Sequence, residues 1–235
     1  MDLVLLRSWG GEGLEDLVGL TSLESVVTLE IAESVNLVSL EGLETLHEAE
    51  NVKIRNNMAL ESLTGLGSLT SIGIHLHIDN NPVLATTNGL NIAQVYDLTI
   101  EDCPVLADLT GLLGINSIPG LSIARCHALR DLHGLDNLAV AELGLGIVQC
   151  NSLQSLEGLE SLVSVGVGGL ILRDLPSLTT LSGLQNLTSV GGLLRLTSCN
   201  SLISVDRLDA LKCCSARSMR RWPIRPRTTW SSSES

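Results

Sequence analysis

The chain has 235 residues, of which 44% are apolar, 17% charged and only 2% aromatic, with no Phe, a single Tyr and 48 Leu. A formal net charge of -12 makes nucleic acid a poor partner for the body of the chain, and a mean hydropathy of +0.33 excludes general disorder. No apolar run reaches the roughly 18 residues that a bilayer span needs.

Met1–Leu6 carries an acid where a secretory signal needs Lys or Arg, so the sequence predicts no signal peptide. Leu3-Val4-Leu5 fits the strand of a partial coil over residues 1–13. From there a Gly-Leu pair recurs at Gly19, Gly42, Gly65, Gly89, Gly111, Gly134, Gly158 and Gly183, with Arg207-Leu208 in the next slot. The intervals wobble by one or two residues around 23 while the apolar positions stay in phase, which is the signature of a solenoid with small insertions. In each unit an L-x-I element alternates its side chains between two faces and reads as a short strand. The Gly-Leu segment places Leu40, Leu43 and Leu46 three apart, compatible with a 3₁₀-like turn or an irregular extended path. The expected fold is mainly β: a right-handed parallel β-solenoid of 23–24-residue leucine-rich repeats over 14–211. Eight coils at about 4.8 Å each would give a rod on the order of 40 Å long.

Three residues after the strand Ile runs the column Ser34, Asn57, Asn81, Cys103, Cys126, Cys150, Leu175 and Cys199. An inward Asn there would bond backbone groups of the adjoining coil, and a Cys would fill the same space with a weaker donor. Four of the six Cys are thereby read as a buried, unreactive ladder. No C-x-x-C pair or Cys/His cluster of zinc spacing occurs in the repeats.

The pattern N-x-x-L-x-S-L-x-G-L-x-x-L-x-x-V-x-x-L-x-I, clearest in Asn57 through Ile78 and Cys150 through Leu172, resembles the receptor L domain, a relative of leucine-rich repeats. The likeness covers roughly Leu14 to Leu211. It implies a β-helical solenoid of the kind found in ectodomains of insulin- and EGF-type receptors and in fungal and bacterial surface proteins. By that likeness alone the chain would be extracellular or cell-surface. This sequence has no Cys-rich module, membrane helix or kinase beside the repeats, so receptor function does not carry over. The internalin-type bacterial repeat fits the period and spacing less well.

With the inward positions committed to packing, function is expected on outward strand positions. The candidates are Lys53, Arg55, His75, His77, Asp79, Asp97, Thr99 and Glu101, on three successive coils. Two histidines two apart on one strand, with carboxylates on the next, are one way to hold zinc. The simpler reading is a solvated polar face or partner-binding patch, with no metal or other cofactor. No G-x-S-x-G elbow, phosphate loop or H-E-x-x-H occurs. Gly168-Gly169 and Gly191-Gly192 read as turns. Thr99 and Thr197 are too far apart for an ice-binding array. From Lys212 the period stops and six basic residues gather with Trp222 and Trp230, an expected basic, disordered tail over 212–235. The array is expected to lack polar caps and so to be open to end-to-end association.

The functional expectation is a non-catalytic scaffold binding a protein or glycan on the outward strand face. The alternatives are a carbohydrate-active β-helix enzyme, for which a chain with one Tyr and no Phe offers little sugar stacking, or a structural spacer without a ligand.

Overall fold

The computed structural model describes residues 3–7 and 14–212; the predicted tail beyond Lys212 lies outside them. Seven strands follow one another as β1 (Leu3–Arg7), β2 (Ser25–Ala32), β3 (Glu48–Arg55), β4 (Ser71–Asp79), β5 (Gln94–Glu101), β6 (Ser117–Ala124) and β7 (Val140–Val148). In the next two turns the strand is split, into β8 (Ser164–Val165) with β9 (Leu170–Arg173), and β10 (Ser189–Val190) with β11 (Leu194–Thr197). Every strand pairs in parallel with its counterpart one turn away, forming a single sheet. No α-helix occurs among the described residues. The expected β-solenoid is what the chain forms.

Register follows from the aliphatic columns. Leu29, Val52, Leu76, Leu98, Leu121, Leu145 and Leu170 stack in one row, and Ile31, Ile54, Ile78, Ile100, Ile123, Ile147 and Leu172 in the next. All are buried. A slip of one residue would turn both rows into solvent, and each aliphatic contributes about 1.5–3 kcal/mol by staying inside. The opposite wall is the Leu-x-x-Leu segment, in which Leu43 N–H donates to Leu40 O (3.3 Å) and Leu46 N–H to Leu43 O (3.0 Å). This is the tight-turn alternative of the two the sequence allowed.

From Gly42 to Gly183 the recurrent Gly is required by close stacking. Gly65 has φ +115°, and a Cβ there would lie 1.9 Å from the Leu40 carbonyl oxygen one coil earlier. Arg207 occupies the equivalent slot in the last described coil, where Asp206–Leu208 winds as a 3₁₀ turn.

The Asn/Cys column is inward as expected. Ser34, Asn57, Asn81, Cys103, Cys126, Cys150 and Leu175 are buried, and Cys199 is half-buried. Asn57 Nδ2 donates to Ile31 O (3.1 Å) and Asn81 Nδ2 to Ile54 O (2.9 Å). Their Oδ1 atoms accept from the N–H groups of Ser34 (3.2 Å) and Asn57 (3.1 Å). Cys126 Sγ reaches Ile100 O only at 4.0 Å.

In each of the eight coils from β2 to β11 the strand closes on a left-handed residue: Glu33, Asn56, Asn80, Asp102, Arg125, Gln149, Asp174 and Ser198 all have φ between 50° and 63°. A non-Gly residue there costs roughly 1–2 kcal/mol. The offset is a regular bond to the next coil, such as Asn80 N–H to Glu101 O (3.1 Å) and Arg125 N–H to Val148 O (2.9 Å).

Candidate functional site

Register sets the outward side chains in rows across β3, β4 and β5. Lys53, His77 and Thr99 form one row, Arg55, Asp79 and Glu101 a second, and Asn51, His75 and Asp97 a third. All eight residues singled out in the sequence therefore sit on adjacent strands, but they do not converge as one group.

His77, Asp79 and Glu101 come together, each offering a ligand atom within 4.8 Å of the others. His77 Nε2 lies 3.4 Å from Glu101 Oε1. His75 stands apart, with Nδ1 3.5 Å from Asp97 Oδ2. Of the zinc arrangement that the sequence allowed, two imidazoles with carboxylates one strand away, the structure brings together one imidazole and two carboxylates. His75 and His77 stand roughly 6.6 Å apart along β4, and each imidazole turns to a carboxylate of β5, Asp97 or Glu101, rather than to the other. Arg55 turns away from Asp79 to the preceding strand, donating to the buried Glu30 carboxylate through Nε (3.0 Å) and Nη2. Thr99 keeps its place beside His77.

Arg125, absent from the sequence-based selection, joins the patch from β6's closing residue. Its Nη2 donates to Glu101 Oε2 (2.7 Å), and its Nε and Nη2 to the Asp102 carboxylate (2.6 Å each). The guanidinium holds the Asp102 carboxyl below its ordinary value. Burial, then the neighbouring Glu101 carboxylate, pushes the Asp79 carboxyl above its own.

A second feature escaped the sequence reading. Between the buried Val-type column and the Leu column each coil turns a corner, and in most coils from β4 onward it holds an exposed apolar residue, whereas β3 has Glu50-Asn51 there and β6 the half-buried Pro119-Gly120. Ile74, Tyr96, Leu143, Val167 and Leu193 stand there, Tyr96 at 51% and Val167 at 76% exposure. Gly168 N–H to Leu143 O fixes one bulge on the next. Together they make an apolar ridge along the solenoid, and its first members flank the polar patch, Ile74 beside His75 and Tyr96 beside Asp97. The insertions that create it vary in length, so no fixed period exposes it in the sequence.

Past the strand ends, a groove of about 400 Å³ is lined by Arg125, His127, Gln149, Asn151, Asp174 and Asn200, among others. His127 Nδ1 is buried in its wall without a hydrogen-bond partner.

The ladder thiols are poor nucleophiles. Burial pushes Cys103 and Cys150 up to about 11 and Cys126 further still, and a thiol that stays protonated neither attacks nor ligates a metal. No helix among the described residues is long and apolar enough to cross a membrane. Comparison with protein-family profiles, with curated proteins and with solved structures finds no match to the chain.

Proposed function

We propose that the chain is a non-catalytic recognition scaffold that binds a protein partner along its outward strand face. The observation that carries this reading is the exposed apolar ridge lying against a charged patch. Exposed aliphatic and aromatic side chains at the centre of a surface, rimmed by polar groups, are the composition of protein interfaces. The ridge runs from β4 to β11 with a break at β6, and the charged patch beside its first members is Lys53, Arg55, His75, Asp97 and Glu101 with their neighbours. The likeness of the repeat to receptor L domains agrees with a recognition role, as does the general use of solenoids as extended binding surfaces.

The test compares the wild-type chain with a Tyr96→Ser/Leu143→Ser/Val167→Ser variant of unchanged circular dichroism. Immobilised wild type should retain a partner, identified by mass spectrometry and confirmed by titration as a purified protein, at least about tenfold better than the variant. Equal retention by both would remove the ridge from the reading.

The polar groove is the feature that favours a glycan ligand instead. Glycoside cleavage ordinarily needs two facing carboxylates, whereas Asp174 is the one acidic residue among its described lining side chains. The groove therefore suits binding of a hydroxyl-rich chain better than its hydrolysis, which a screen of polysaccharides for binding and for reducing ends would distinguish.

A further inference from the structure

We propose that His77, Asp79 and Glu101 form a site for one divalent transition-metal ion of the zinc type, on the outward face of β4 and β5. Three observations lead there. The donor atoms converge within 4.8 Å of one another, a spacing that small side-chain rotations close to the separation of neighbouring ligands around an ion with bonds of about 2.0–2.2 Å. Their backbone positions are fixed, because His77 and Asp79 are two apart on β4 while Glu101 is the direct register partner of Asp79 on β5. The local charge is unbalanced: Asp79, Glu101 and Asp102 crowd together, and Arg125 is the cation within bonding distance of two of them.

The donor set selects the class of ion. An imidazole nitrogen with two carboxylate oxygens suits zinc and its neighbours among the first-row metals, whereas calcium and magnesium prefer oxygen alone. Arg125 engages Glu101 through Oε2, which leaves Oε1, the atom facing His77, as the ligand. All three side chains are half-buried, so solvent can supply the remaining ligand, the arrangement of an open rather than a closed zinc site. Lys53, in register with His77 on β3, is the group that opposes a second positive charge. The buried ladder thiols are far too tightly protonated to compete.

The experiment is calorimetric titration of zinc chloride into the full chain carrying Cys213→Ser and Cys214→Ser, which removes two thiols outside the described residues. A single site of micromolar Kd is expected. His77→Ala and Asp79→Asn should each weaken it by about tenfold or more, while His75→Ala leaves it within about twofold. Zinc should also shift the His77 ring resonances in histidine-selective NMR spectra, a readout independent of heat. Circular dichroism confirms that each variant is folded, as expected for half-exposed side chains. No heat and no His77 shift at submillimolar zinc, or heat that survives His77→Ala and Asp79→Asn alike, overturns the proposal. Loss on His75→Ala equal to that on His77→Ala overturns it as well.

Discussion

One structural column is built in two chemistries. In the first coils it is amide: Asn57 and Asn81 each bridge to the coil before, and Asn57 Nδ2 also donates to Asn81 Oδ1 (3.1 Å). From β5 to β7 it is thiol: Cys103, Cys126 and Cys150 fill the same space with donor distances of 3.4 to 4.0 Å to carbonyl oxygens. The shape is conserved while the hydrogen bonding is not. In this column the amide half joins its coils by short, specific bonds to buried backbone groups, and the thiol half by packing and weaker sulfur hydrogen bonds.

The largest test of this contrast is Asn81→Ala. It strands the Asn57 N–H and the Ile54 carbonyl in a buried site and should cost about 3–5 kcal/mol, measured by urea denaturation. Next comes alkali, which should attack the thiol half selectively. Cys103 and Cys150 titrate near 11 when folded against 9.0 when exposed. Stability is therefore full below about pH 9 and falls as pH rises toward 11, by about 1.4 kcal/mol per pH unit for each thiol. Denaturation curves at stepped pH should show this limb, and Cys103→Ala/Cys150→Ala should make it shallower while leaving the part due to Cys126, which burial also pushes up. Cys126→Ala at neutral pH removes one sulfur and no essential bond, so a loss of about 1–2 kcal/mol is expected, well below that of Asn81→Ala. The smallest effect sharpens the comparison from the other side. Cys103→Asn extends the amide ladder by one rung, as Asn81 does for Asn57, and should add about 1 kcal/mol to the unfolding free energy.

The period, the strand register and the identity of every inward column were legible in the sequence, because each aliphatic is repeated where stacking needs it and a single shift would expose them all. The outward rows followed from the same register. Which of those residues meet was not legible. Arg55 chooses Glu30 over Asp79, and His75 chooses Asp97 over His77, side-chain choices between neighbouring strands that period counting does not contain. The left-handed closing residues were equally hidden. Asn56, Asn80 and Asp102 are types that tolerate that conformation, but Glu33, Arg125 and Gln149 adopt it only because the neighbouring coil bonds their N–H groups.

The corner that carries the apolar ridge has a consequence for how such a molecule can change. Between the two inward columns it holds Tyr96–Asp97 in β5, 73–75 in β4 and 166–169 between β8 and β9, yet Val95, Ile72 and Val165 on one side and Leu98, Leu76 and Leu170 on the other stay in line. Length variation is absorbed there without disturbing adjacent turns. A peptide grafted into that corner at its exposed tip, Val167 for instance, would be displayed on the rod at a chosen height, and several grafts would be held at spacings set by the strand-to-strand step.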